Sequence, residues 1–205
     1  MKIESIKTGR RDKEKLVIRT ECGSYISARI DDAYTLRAGD EISCEKAAEL
    51  EAAYNAESVK KRAAKILSHH SISKKELSKK LRDKGFSVED SEETAEWFSE
   101  RGMINDVAFA RQVAEYYKKR GCGELRIRQE LSNRGIEREL VEETLSELGP
   151  DDGELCALIE KKLRGKLPDA DEKRKLYAFL LRRGFKYEEI RSAMNELKLY
   201  TEDIE

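Results

Sequence analysis

From residue 57 onward, apolar residues recur every three to four positions, the period of helices with one buried face. The segments carrying this period are short, and glycines, serines and acids punctuate them. They are 57–68, 71–85 and 87–102; then 105–121, 123–135 and 137–148; then 151–165, 169–184 and 186–197. The first 45 residues read differently. Segments 2–9, 14–21 and 24–30 are short alternating or β-branched runs, separated by Arg10–Lys13 and by Cys22–Gly23, which suit turns. They predict a small antiparallel sheet. Residues 44–55 predict a helix connecting that sheet to the helical part.

Three helical segments end alike, in LRDKGF (81–86), LSNRGI (131–136) and LLRRGF (180–185). Gly85, Gly135 and Gly184 stand 50 and 49 residues apart, a regularity that marks a repeated structural unit. Each glycine is placed to end a helix in the left-handed conformation, with the apolar residue after it packing on the leucine four positions before it. The pairs are Leu81 with Phe86, Leu131 with Ile136, and Leu180 with Phe185. Lys84, Arg134 and Arg183 precede the glycines, where a cation faces the negative helix end.

A second helix starts at once after each turn. Ser87 is the N-cap of the first, and Ser73 with Glu76 forms a capping box one helix earlier. Aligned on the glycines, Thr94, Thr144 and Ala193 coincide, as do Ala95, Leu145 and Met194, and Phe98, Leu148 and Leu197. Ser91 stands where the other copies have Val141 and Ile190. Leu125, Ile127 and Leu131 are expected near one face of their helix. The predicted fold is mainly α: three tandem three-helix repeats (57–102, 103–149 and 150–205) forming an elongated, curved array, with a β-rich region and connecting helix over 1–56.

Composition agrees with long solvated helices. Of 205 residues 40% are charged and 39% hydrophobic, with two prolines, which excludes a disordered chain. Cys22, Cys44, Cys122 and Cys156 have no zinc-like or redox spacing and are expected to be reduced, mostly buried residues. No signal peptide or membrane span is legible, so a soluble cytoplasmic protein is expected.

The net charge of −1 makes no case for nucleic acid, but its distribution does. Residues 58–86 hold ten Lys or Arg against Glu76 and Asp83, whereas in 87–102 Arg101 opposes six acids. Helix dipoles and paired charges account for much of this. They do not account for Lys74 and Lys75, which are basic at a helix start. Lys74, Lys75, Lys79, Lys80, Arg82 and Lys84 are therefore the main phosphate-contact candidates. A second set is Lys118, Lys119, Arg120, Arg126, Arg128 and Arg134. Such contacts position a protein on a phosphate backbone without reading sequence. Trp97 and Phe98 are expected in the core, and of the adjacent Tyr116 and Tyr117 only one can point inward.

The middle repeat carries the most specific pattern: Asn105-Asp106, Phe109-Ala110-Arg111, Gly121, Gly123, Arg126-Ile127, Glu130-Leu131 and Gly135-Ile136. Together with 73–86 and 176–190, it resembles the tandem repeats of the RecX family of regulatory proteins. The resemblance implies a non-enzymatic modulator that binds the groove of a RecA-type recombinase–DNA filament and restrains ATP hydrolysis and strand exchange. It also implies weak, sequence-independent contact with single-stranded DNA, double-stranded DNA being a second ligand, and a monomer. His69-His70 and Tyr117 depart from the family, whose members often have arginine there, so contacts made by those arginines would differ here.

No catalytic or cofactor constellation is legible. There is no phosphate loop ending in Lys-Ser/Thr and no nucleophile elbow. His69 and His70 point about 100° apart on a helix and would not share a metal. Two other readings remain open: a stand-alone helix-turn-helix-like DNA-binding protein, and a pure protein-interaction scaffold.

Overall fold

Alternation in the first thirty residues becomes a three-stranded antiparallel sheet of order β1-β2-β3: β1 Ile3–Thr8, β2 Lys15–Thr20 and β3 Tyr25–Arg29. Ile6, Ile18 and Ile26 lie side by side across it. The register shifts between Ile3 and Ser5, so Ile3 pairs with Thr20. Fully burying a residue such as Ile18 stabilises by about 1.5–3 kcal/mol. In this computed structural model residues 1–10, 12–149 and 153–199 are described. They divide into two units: Met1–His70 with Leu77–Arg101, and Ser71–Glu76 with Gly102 onward.

In the first unit, the short helix α1 (Ile30–Ala33) leads to α2 (Cys44–Leu67), whose N-cap Ser43 accepts the Lys46 N–H at 3.0 Å. The sheet docks on α2: Ile3, Ile18, Ile26 and Ile42 share a core with Ala47 and Leu50. Two separate helices were expected over 44–55 and 57–68, and the structure has one helix of 24 residues. Neither glycine nor proline interrupts 44–67, so nothing in the backbone breaks the ladder. The end of α2 is thereby the first helix of the first repeat. It packs on α4 (Val88–Glu100), with α3 (Lys74–Arg82) between them in sequence. Val59, Ala63, Leu77, Leu81, Ala95 and Phe98 are buried. Ser91 is buried where the other copies are apolar, and donating its hydroxyl to the Ser87 carbonyl at 2.6 Å satisfies it.

The second unit holds two further repeats. The first is α5 (Asp106–Lys119), α6 (Glu124–Asn133) and α7 (Arg138–Glu147), around Phe109, Val113, Ile127, Leu131 and Val141. The next is α8 (Glu154–Leu163), α9 (Ala170–Arg182) and α10 (Tyr187–Glu196), around Ile159, Leu176, Leu180, Ile190 and Met194. Leu125 does not share the buried face of α6. It is exposed, because it sits two positions, about 200°, from Ile127.

All three glycine turns form the expected cap. The N–H groups of Phe86, Ile136 and Phe185 donate to the carbonyls of Leu81, Leu131 and Leu180, and those of Gly85, Gly135 and Gly184 to Arg82, Ser132 and Leu181. The glycine φ angles are +92°, +76° and +86°. In the second unit the turns also join repeats. Gly123 occupies the N-cap of α6 and has no side chain with which to cap it. The third repeat supplies the acceptors instead: Gly123 N–H donates to the Arg183 carbonyl at 2.9 Å, and Leu125 N–H to the Gly184 carbonyl at 3.0 Å. A Cβ on either glycine would overlap the other segment's backbone. The Arg134–Gly135 turn meets the start of α3 in the same way. Ser73 Oγ donates to the Arg134 carbonyl at 2.5 Å, and Gly135 abuts the Lys75 stem.

Candidate nucleic-acid interface

The α3 candidates separate by helical geometry. Lys75, Lys79 and Arg82 recur at i, i+4 and i+7, a stripe opposite the buried Leu77 and Leu81, and all three are exposed. Among the described residues they and the exposed Lys84 carry no ion pair or side-chain hydrogen bond. Lys74 and Lys80 sit on the flanks of the helix and are half-buried. The Lys74 N–H donates to the Asp106 carboxylate at 2.9 Å, and Glu76 N–H to Ser73 Oγ at 3.1 Å. Asp106 thus offsets the basic start of α3 with an acid at its positive end.

In the second set, most cations are held by partners of their own. Lys118 Nζ donates to the Leu148 carbonyl at 2.9 Å, at the end of α7. Arg126 pairs with Glu130 at 2.5 Å. Arg128 lies between Glu124, at 2.8 Å, and Glu142, and these two carboxylates raise its pKa, Glu142 the more. Lys186 and Arg128 in turn hold Glu124 below the usual carboxylate range, Lys186 from 2.6 Å. Arg134 lies over the Phe109 ring, 5.9 Å from its centroid. Lys119, paired with Glu115 at 3.4 Å, and Arg120, bonded to the Tyr116 hydroxyl, remain exposed. Tyr116 is itself exposed, and Tyr117 packs on the second repeat's core.

Lys118, Lys119 and Arg120 of the second set meet three cations that the sequence reading did not single out as phosphate contacts, Lys161, Lys162 and Arg183. A cleft of about 810 Å³ in the second unit is lined by Lys118, Lys119, Arg120, Lys161, Lys162 and Arg183, with Glu154 the acid on its wall. Arg183 closes one side, donating to the Gly121 carbonyl at 3.1 Å and to the Arg120 carbonyl. The run KKLRGK at 161–166 was the available signal, but bases at a helix end usually complement the dipole. A cleft of about 600 Å³ in the first unit mixes Asp12, Glu14 and Glu57 with Arg62, Lys65 and Lys84, so its field is divided.

Other expectations need correction. Trp97 is half-buried, with Lys60 and Arg101 over its ring at 4.9 and 3.8 Å, while Phe98 is buried. No cysteine is fully buried: Cys22 and Cys44 are exposed, Cys122 and Cys156 half-buried, and all four are free thiols. Cys22 lies in a turn and Cys44 at a helix start, while Cys122 and Cys156 pack at the edges of the cores of the second and third repeats. Cys22, in the β2–β3 turn, has its thiol pushed down to about 7, first by the Thr20 hydroxyl at 3.0 Å and then by Ser24. The acidic third helices are partly tied within their repeat, since Arg111 makes a two-pronged pair with Glu147 at 2.6 and 2.7 Å.

Among the described residues, no group of three His, Cys, Asp or Glu is placed to hold a metal. The rings of His69 and His70 are 6.4 Å apart. No helix among them is long and apolar enough to cross a membrane.

Residues 105–145 match the family pattern described as RecX, second three-helix domain, and residues 152–194 that described as RecX, third three-helix domain. The chain is 40% identical over 141 residues to a regulatory protein RecX of Pelodictyon phaeoclathratiforme, covering 67% of this chain and 87% of that one. It is 34% identical, over 68% of this chain and 92% of the other, to a regulatory protein RecX of Vibrio vulnificus. Among solved structures, RecX from Lactobacillus salivarius superposes with a TM-score of 0.64 at 25% identity, covering 72% of this chain and 99% of that one. A crystal structure of a regulatory protein RecX shares the fold over 96% of this chain and 98% of its own, with a TM-score of 0.62 at 22% identity.

Proposed function

Since the chain belongs to the RecX family of regulatory proteins, we propose that it binds a RecA-type recombinase assembled on DNA and lowers its ATP hydrolysis and strand exchange. In this reading it acts as a cytoplasmic monomer in recombination and DNA repair and makes or breaks no bond itself. Each of the spans 57–102, 103–149 and 150–205 is one repeat of the binding body.

The observation that carries the reading is the α3 stripe. Lys75, Lys79 and Arg82 project together from one side of a helix whose other side is core, and no neighbouring carboxylate neutralises them. Three cations at this spacing match successive phosphates better than one compact anion, and contact of this kind is blind to sequence.

A helix-turn-helix reading is less well supported. The helix after each turn would have to enter the major groove, yet the exposed positions of α4 include Glu89, Glu92, Glu93 and Glu96, and those of α7 include Glu139, Glu142 and Glu143. Like charge would repel them from the phosphates that flank the groove.

The test is ATP hydrolysis by a RecA-type recombinase on single-stranded DNA, titrated with this protein. Inhibition below one regulator per recombinase subunit is expected. Equal inhibition by an unrelated basic protein, or no inhibition at all, contradicts the reading.

A further inference from the structure

The basic cleft at the end of α5 does not stop there. Lys162 also lines a second cleft of about 460 Å³, whose wall carries Arg164, Lys166, Lys175 and Arg182 with Glu172 as its acid. The two clefts therefore adjoin at Lys162, one on each side of it. Lys161, Arg164, Lys166, Lys175 and Arg182 are exposed and, among the described residues, make no ion pair or side-chain hydrogen bond.

Helix dipoles explain only part of this. Lys161, Lys162 and Arg182 lie in last turns, where a base is favourable anyway. Lys175 lies in mid-helix and Lys166 in the loop after α8, where the dipole offers nothing. Arg164 holds a left-handed conformation at φ 53° and Gly165 after it another at φ 76°, so this turn takes two successive left-handed residues and only one of them is glycine. A strained arginine on a cleft rim suggests that the guanidinium is wanted there.

We propose that these two adjoining basic clefts, centred on the third repeat, bind the sugar-phosphate backbone of a single-stranded nucleic acid. Unpaired cations spaced along a concave path fit a chain of evenly spaced negative charges. A cleft of this size admits one strand, whereas a duplex presents a convex cylinder. The exposed Tyr116 ring and the Arg120 guanidinium over it, 5.0 Å from its centroid, form at one end a cation–aromatic pair on which a base can stack, which favours nucleic acid over an acidic peptide. The inference rests on the reading above in taking DNA as a ligand, and it adds to the α3 stripe a second contact along α8 and α9.

The test uses the full chain without recombinase. Fluorescence anisotropy is followed with a labelled oligothymidylate of about 20 nucleotides. Lys161→Glu together with Lys166→Glu places one change in each cleft and breaks no side-chain contact among the described residues; reversing the favourable end-of-helix charge of Lys161 should lower the unfolding temperature only slightly. Binding is expected to weaken by about tenfold or more, and the slope of log affinity against log salt to become shallower by roughly 1.4, two single-strand phosphate contacts. Wild-type affinity and slope in the variant overturn the two-cleft site, and they leave the regulatory reading intact if the wild-type protein still inhibits the recombinase. Displacement of the oligonucleotide by polyglutamate at equal charge concentration would overturn the choice of nucleic acid.

Discussion

Cys22 shows how much one side chain's chemistry depends on two neighbours. An exposed thiol ordinarily titrates near 8.5. Here the Thr20 and Ser24 hydroxyls stabilise the thiolate and bring it to about 7. The thiolate is the reactive form, so alkylation of Cys22 by iodoacetamide should rise through a midpoint near pH 7. Thr20→Val should move that midpoint up toward about 8.5. Peptide mapping of the alkylated protein reads both, and a midpoint that ignores Thr20 would remove the hydrogen-bond explanation. At this scale the sequence was partly legible. Lys75, Lys79 and Arg82 could be placed on one face by counting, because their spacing is the helical period. The fate of Arg126, Arg128 and Arg134 could not be counted out. Glu142 and Phe109 reach two of them only after the repeat has folded.

Elements were more legible than their joins. The glycine cap is a local device, written within six residues, and all three copies form it as expected. That the same turn also caps a helix of the preceding repeat needs Gly123 and Gly184 brought together across some sixty residues of chain, and nothing local announces that. The continuity of α2 escaped for the opposite reason. The composition changes near residue 56, yet no breaker accompanies the change. The double duty of the turn makes the glycines unequal. Gly85 has φ +92° with open space around a prospective Cβ, so Gly85→Ala should cost only the left-handed penalty of about 1–2 kcal/mol. Gly184 has the α6 backbone against it, so Gly184→Ala should cost more than about 3 kcal/mol, or separate the third repeat from the second. Urea unfolding of the two variants measures the difference. Equal losses would mean that the turn's contact with α6 contributes nothing.

For the molecule as a whole, near-neutral net charge conceals a strong separation of sign. Acids concentrate on the third helix of the first two repeats, where several are tied to arginines of the same repeat. Bases without partners concentrate on α3 and along α8 and α9. The first concentration was visible in the sequence as a local excess. The second was masked, because Glu160, Asp169, Asp171 and Glu172 alternate with the bases along the chain, and only in the folded chain is Glu172 alone of the four left on the cleft wall. Family membership supplies the regulatory role, and in the function proposed above the α3 stripe is the surface that meets the phosphates of recombinase-bound DNA. The most direct test of that link is ATP hydrolysis by a RecA-type recombinase on single-stranded DNA, titrated in parallel with the wild-type protein and with the Lys75→Glu, Lys79→Glu, Arg82→Glu variant. The account predicts substoichiometric inhibition by the wild type and, for the variant, a requirement for at least about tenfold more protein. Identical titration curves would contradict it.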